Sequence, residues 1–452
     1  MDQLMSIVQA INGILWGKLL IVFLCGTGLY YTLKLRFVQI RKFGAVIKQT
    51  FGGLTLCGEK ADAEGMTSFQ SLATAIAAQV GTGNLAGAAT AIAAGGPGAI
   101  FWMWIAAFFG MGTIFAEAVL AQTYKVRDDH GQVTGGPAYY IRDGFGSKWL
   151  AGFFSITIIL ALGFIGNMVQ SNSIADAFNS AFGIPTIYVG IGVAILGALI
   201  FFGGIGRIAS FTEKVVPVMA VLYLLGGLYI LITQAANFVP AVKMIFVGAF
   251  DPRAATGGLI GVGVKEAVRY GVARGLFSNE AGMGSTPHAH AVAKVKHPAQ
   301  QGLVAIMGVF IDTFIVLNMT ALVIFSTGAI DGQTTGIALT QRAFELGLGS
   351  FGNPFIAICL LFFAFSTIIG WYFFGEANIK FLFGSKGLTP YRILVMLFIV
   401  LGATLKVRLV WELADMFNGL MVLPNLIALI GLAKVVSRAL DDFESDGTLK
   451  TK

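Results

Sequence analysis

Two long apolar stretches of this chain are interrupted where a membrane-embedded helix tolerates interruption least. Residues 68–94 are hydrophobic and Ala-rich, yet their middle reads Gln79-Val80-Gly81-Thr82-Gly83-Asn84. Five hydrophobic segments later a second interruption reads Phe277-Ser278-Asn279-Glu280-Ala281-Gly282. In lipid, unpaired backbone groups are costly, so helix-weakening residues at mid-depth persist only where they line a protein cavity. Paired broken segments in corresponding halves of a membrane protein point to a transporter binding site. The expectation is a solute carrier.

Composition narrows the class. Of the 452 residues 56% are hydrophobic and 12% charged, against about 25% charged in soluble domains; mean hydropathy is +0.80. Cys25, Cys57 and Cys359 lack CxxC spacing, so neither a disulfide framework nor a thiolate metal site is indicated. The N-terminus has no basic stretch before its first apolar run and no evident cleavage site, and reads as retained. The net charge of +7 is spread over short loops, the pattern of topology determinants, and no nucleic-acid partner is expected. Absence of a GxxxxGK[ST] sequence argues against ATP-driven pumping, and no nucleophile–base pair suggests an enzyme.

A span needs roughly 20 apolar residues. Candidates fall at 18–34, 68–94, 97–124, 148–180, 186–203, 213–234, 256–293, 302–326, 353–383, 389–406 and 411–437, an all-α polytopic protein of about 11 spans. Lys and Arg concentrate in loops that would be cytoplasmic if the N-terminus lies outside and the C-terminus inside. Segment 36–53 mixes Arg36, Arg41, Lys42 and Lys48 with apolar residues and suits a helix on the inner membrane surface. Segments 237–250 and 336–347 suit short outer helices. The expected organisation is a peripheral N-terminal helix (1–35), an inner-face segment (36–67), a first five-helix repeat (68–234), an outer connection (235–255), a second five-helix repeat (256–437) and a polar cytoplasmic tail (438–452), expected to be disordered over 440–452. Because five is odd, the repeats would be inverted. Membrane lipid is the implied surroundings, and no oligomer is required.

Unwinding at the first break would free carbonyls near Ala77 and Val80 for a small cation, and N–H groups near Gly81 to Gly83 for a carboxylate. Gln79, Thr82 and Asn84 add side-chain oxygens. The competing reading is a glycine-mediated helix crossing. At the second break Glu280 either meets a ligand or braces the second half-helix, and Phe277 either lids a pocket or packs. Ser366 and Thr367 either bond back to their own helix or act as hard oxygen ligands. Trp371, one turn beyond Thr367, shares its face and could exclude large side chains. Asn167, Gln170, Asn172 and Asp176 form a polar stripe, as pocket lining or interhelical contacts. Glu117, Asp312 and Glu376 are further intramembrane acids with gating or structural roles. His288, His290 and His297 lack partners at metal spacing and read as surface histidines.

The run Gly95-Gly96-Pro97-Gly98-Ala99-Ile100-Phe101-Trp102-Met103-Trp104 onward to Gly110 resembles the signature of the sodium:alanine (alanine or glycine:cation) symporter family. Gly81-Thr82-Gly83-Asn84, Gly135-Gly136-Pro137-Ala138-Tyr139-Tyr140-Ile141 and Ser278-Asn279-Glu280-Ala281-Gly282-Met283-Gly284 support the resemblance, which covers almost the whole chain. It implies a LeuT-type 5+5 inverted repeat with one extra N-terminal helix, in the amino acid–polyamine–organocation superfamily. It also implies sodium-coupled import of a small neutral amino acid, alanine or glycine, across the plasma (inner) membrane. Sodium (Na+) would be held by Ala77, Val80, Ser366 and Thr367. Gln79, Gly81, Thr82, Gly83, Asn84, Gln170, Phe277, Asn279 and Trp371 would bind the substrate. Thr286-Pro287-His288-Ala289-His290 departs from the small or amide residues associated with that stretch. The alternatives are a proton-coupled or exchange-type permease of the same fold, with Glu280 or Asp312 titrating, and more distantly a channel or a membrane-embedded enzyme.

Overall fold

The computed structural model describes residues 2–52, 65–251, 263–405 and 407–445. Cys57, the opening residues of segment 256–293 and the end of the tail lie outside the described residues. Within them the chain is helical, save for a small antiparallel hairpin pairing Val126–Arg127 with Val133–Thr134. Seven helical stretches are long and apolar enough to cross a membrane, and Thr186–Phe201 and Ala235–Phe250 are shorter apolar helices.

Helix ends follow local chemistry. Thr67 and Gln70 form a capping box at the start of Ser68–Gln79, satisfying donors that the first turn leaves free. His297 and Gln300 do the same for Pro298–Val309, with proline at its tolerated first position. Gly183 and Gly328 end their helices in the left-handed conformation. The turn at 95–98 is tight because Gly98 lies against the backbone of Gly248, where an added Cβ would stand 2.1 Å from a carbonyl carbon. The aromatic run that follows is structural. Trp102 donates to Ala249 O (3.2 Å) and Trp104 to Asn318 Oδ1 (3.1 Å). Phe101 meets Phe246 and Phe250 edge-on. The run thus fastens the Ala235–Phe250 helix to the bundle.

Two faces can be told apart. The upper face carries Ala235–Phe250 and Gly336–Leu348. The lower face carries the hairpin, the short helices Val38–Arg41 and Phe43–Phe51, and a final helix Ala433–Ser445. That last helix corrects the expected disordered tail as far as Ser445. Val436, Leu440 and Phe443 are buried, at the spacing of one helix face. Its acids Asp441 and Glu444 pair with Arg36 (2.6 and 3.2 Å), and Glu444 also pairs with Arg41 (2.5 Å) and Lys42 (3.4 Å). The first helix also differs from expectation: helix begins at Asp2, well before residue 18, and continues to Lys34 through a wide π turn at Leu15–Leu19.

Two helices are broken as expected. Ser68–Gln79 stops at Val80, which turns extended (φ −83°, ψ 91°), and helix resumes through a π turn at Gly83–Gly87 into Ala88–Gly95. Val264–Asn279 stops at Glu280, which is left-handed (φ 58°). Gly282 and Gly284 are also at positive φ before the short helix Pro287–Ala291. Further π segments at Ile159–Gly166 and Phe310–Leu317 flank the breaks. Such wide turns collect at functional sites, and sequence reasoning gave no sign of them.

Candidate functional site

The first break opens its backbone because Asn84 competes for it. In a continuing helix the Gly81 N–H would bond to the Ala77 carbonyl. Instead it donates to Asn84 Oδ1 (3.0 Å). The released Ala77 O faces the helix Gly352–Phe383, where Thr367 Oγ1 lies 2.9 Å and Ser366 Oγ 3.4 Å away. Thr367 Oγ1 is also 3.5 Å from Val80 O. Both hydroxyls lie within 3.0 Å of Phe363 O in their own helix, so the back-bonding alternative is present as well. Each hydroxyl carries one proton and two lone pairs. Two hydroxyls among three carbonyl oxygens leave more acceptors than protons, a donor set that fits a hard cation. Gly81 permits the approach: a Cβ there would stand 2.3 Å from Thr367 Oγ1.

Gln170 spans the same break. Its Oε1 accepts from Thr82 N–H (3.3 Å), and its Nε2 donates to Thr82 Oγ1 (3.0 Å). Gln79 joins the two breaks, donating from Nε2 to Asn279 O (2.7 Å), while its Oε1 has no partner. Asp312 joins them again. Its Oδ1 accepts from Asn84 Nδ2 (2.6 Å) on one side and from Ser278 Oγ (3.0 Å) on the other, and its Oδ2 accepts from Thr313 Oγ1 (2.9 Å). Asn279 turns inward, accepting from Ala281 N–H (3.1 Å) and donating to Thr313 Oγ1 (3.2 Å).

The second break is held by carboxylates. Glu117 accepts from the N–H groups of Gly282 and Gly284 (both 2.9 Å) and from Asn425 Nδ2 (2.7 Å). Asn425 also donates to Gly282 O and accepts from Tyr140. Glu280 accepts from Ser285 Oγ (2.6 Å) and from the Trp371 indole N–H (2.5 Å). Phe277 stands edge-on to Trp371 at 6.3 Å and tilted against Trp411 at 5.7 Å. Gly81, Thr82, Gly83, Asn84, Gln170, Phe277, Asn279, Trp371, Ser366 and Thr367 are all buried.

Above this cluster lies a cavity of about 410 Å³ lined by Asn172, Asp176, Arg274, Trp411, Glu412 and Asp415, among others, and by none of the expected substrate residues. Arg274 makes a forked bond to Asp415 (3.1 and 2.7 Å) and covers the rings of Phe277 and Trp411. This ion pair and Phe277 separate cavity from cluster. Sequence reasoning singled out neither Asp415 nor Glu412; Asp415 stands one turn after Trp411, on the same helix face. Below the cluster, Glu376 pairs with Lys380 (3.2 Å) and Arg392 (3.7 Å), and Lys380 reaches Asp128 (3.3 Å) beside the hairpin. Burial works against the Asp128 charge. The backbone N–H groups of Gln132 and His130, with Lys380, outweigh it and hold the carboxyl below its usual range.

The histidine expectation is corrected: His288 and His290 are buried. His288 Nδ1 lies 2.6 Å from Ser285 O and Nε2 2.8 Å from Asn378 Nδ2, between the rings of Phe154 and Phe374. His290 Nδ1 meets Gln301 (2.8 Å). His297 is half-buried and caps its helix. The small residues among 281–291, such as Ala281, Gly282 and Gly284, leave room for the large rings beside them.

A model of the sodium:alanine symporter family matches residues 1–452. The sodium/alanine symporter AgcS of Methanococcus maripaludis is 44% identical over 440 residues, covering 95% of each chain. The probable sodium/glutamine symporter GlnT of Bacillus subtilis is 43% identical over 447 residues, covering 98% of this chain and 91% of that one. Among solved structures, that of MhsT in complex with L-phenylalanine superposes with a TM-score of 0.57 at 13% identity, over 85% of this chain and 98% of that one. The fold is therefore the LeuT-type architecture of helical membrane transporters.

Proposed function

The chain belongs to the sodium:alanine symporter family, a family of transporters and not of enzymes, and from that premise we propose that it imports a small neutral amino acid, alanine or glycine, together with sodium, by alternating access. The observation that carries this reading is the convergence of Ala77 O, Val80 O, Ser366 Oγ and Thr367 Oγ1 at the unwound first break. Sodium in that donor set would bridge the first broken helix and the Gly352–Phe383 helix. The amino acid would lie against Gly81 to Asn84, Gln170, Phe277, Asn279 and Trp371, its carboxylate at the start of the half-helix that resumes at Gly83. Gln79, Glu117, Glu280 and Asp312 hold the two breaks in shape.

In this reading the upper face is extracellular and the lower face cytoplasmic, in the plasma (inner) membrane, with the N-terminus outside and the C-terminus inside. Arg274–Asp415 and Phe277 close the upper side, and the Glu376–Lys380–Asp128 network closes the lower. Coupling is thermodynamic: sodium raises the affinity for the amino acid by the factor by which the amino acid raises that for sodium. One charge entering down 100 mV contributes about 2.3 kcal/mol.

Labelled alanine uptake into proteoliposomes tests this. Accumulation under a sodium gradient, and none under a proton gradient alone, is the expected result. A second reading, proton coupling, is favoured by one observation: Asp312 is fully buried and touches both breaks with no cation beside it among the described residues. Sodium-independent uptake abolished by Asp312→Asn would establish it in place of the first.

A further inference from the structure

Asn418 differs from every other buried amide described. Asn12, Gln39, Gln79, Asn167 and Asn172 each leave only their oxygen without a partner, whereas Asn418 leaves both Oδ1 and Nδ2 unpaired at 0% exposure. A donor and an acceptor together without protein partners are a double penalty, and groups of this kind in a native fold are met by a buried water or by a ligand.

Its position says which partner. Asn418 lies three residues after Asp415 and seven before Asn425, on one face of the helix Val407–Gly431. Asp415 binds Arg274, three residues before Phe277, and Asn425 binds Gly282, five residues after it. Asn418 is therefore level with the second break around Phe277 to Asn279. Its neighbours Ala414 and Phe417 pack on Ile165, Met168 and Val169, the turn leading to Gln170. Gly166 in that turn abuts Trp371. The segments packed around this stretch of helix are thus the ones that carry Phe277, Gln170 and Trp371.

We infer that Asn418 is a substrate-binding residue that recognises a neutral hydrogen-bonding side chain, a hydroxyl or a carboxamide, on the transported amino acid. This rests on the amino-acid symport reading above and goes beyond alanine and glycine, whose side chains offer nothing to bond. An amide with one donor and one acceptor free is complemented by a group with both. A serine hydroxyl is the smallest such group, and a carboxamide offers the same chemistry at greater length.

The test is competition of unlabelled serine and asparagine against labelled alanine in proteoliposomes, for the wild type and Asn418→Leu, with Asn418→Ala in reserve should the leucine variant not fold. Serine, asparagine or both should compete with alanine in the wild type. In the variant that competition should weaken by about tenfold relative to half-saturation for alanine, the size of one neutral hydrogen bond. Whichever side chain loses most identifies the group recognised. An unchanged ratio to alanine, or a wild type blind to both competitors, overturns the inference and leaves Asn418 with a buried water as its partner. Failure of sodium-driven alanine uptake in the wild type is a separate result. It overturns the symport reading, and the ratio is then measured under whichever gradient drives uptake.

Discussion

At the first break the backbone is held open by neutral amides, Asn84 on Gly81 and Gln170 on Thr82. At the second a buried carboxylate, Glu117, grips the N–H groups of Gly282 and Gly284. Both breaks pair glycines with polar residues, but only at the second does a carboxyl group bind the freed backbone N–H groups directly. A built-in acceptor does there what a bound ligand would do transiently, so the second break is a fixed wall. The first leaves Ala77 O, Val80 O and two hydroxyls with more oxygens than protons, a donor set that suits the sodium proposed above.

The largest expected effect comes from removing that built-in acceptor. Glu117→Ala leaves two buried backbone N–H groups without an acceptor and costs Asn425 one of its two. At about 1–3 kcal/mol per buried donor left unsatisfied, it should lower thermal stability sharply, and sodium should not restore it. Normal melting of that variant would erase the contrast between the breaks. Next, Ser366→Ala with Thr367→Ala should lower melting without sodium by less than Glu117→Ala does, since the loss is the partner of one buried carbonyl, Ala77 O. It should raise the sodium concentration for half-maximal uptake by about tenfold or more and remove the sodium-dependent rise in melting temperature. An unchanged sodium curve would detach those hydroxyls from the cation. Smaller again, Trp371→Ala removes the indole held by Glu280 and should admit bulkier amino acids, measured as increased competition by leucine against alanine. Unchanged selectivity would make Trp371 packing alone.

The smallest effect belongs to a residue remote from both breaks. Asp128 is held below its usual pKa, so its contribution to stability is present above the unfolded value of about 3.9 and is lost as pH falls through the lowered one. Asp128→Asn should therefore melt slightly lower than wild type by a constant amount from pH 5 to 8, with the gap closing below about pH 4. A gap that varies near neutrality would mean that Asp128 is coupled to the breaks after all.

Much of the architecture could be read from residues alone because lipid makes hydropathy a strong signal. Helix interruption at Gly81 and Gly83, and again near Glu280, followed from glycine and polar residues inside apolar runs. The partners of the acids did not. Glu117 meets residues more than 160 positions away, and nothing in its neighbourhood, Phe115-Ala116-Glu117-Ala118-Val119, encodes that pairing. Asp415 and Asn418 escaped notice because one polar residue per turn in a long apolar helix looks unremarkable until the facing helix is known. The final helix was missed for the opposite reason: its charge outweighed the three-and-four spacing of Val436, Leu440 and Phe443.

That final helix has a consequence for how the protein is made. Asp441 and Glu444 bind Arg36, Arg41 and Lys42 across some 400 positions of chain. Synthesis runs from the N-terminus, so the basic residues emerge early and wait while everything between them and their acids is inserted. The buckle can close only after the last span is in place. Its closure therefore reports that the helices between Lys42 and Asp441 have been made, and a chain stopped before Asp441 presents those same arginines without these partners.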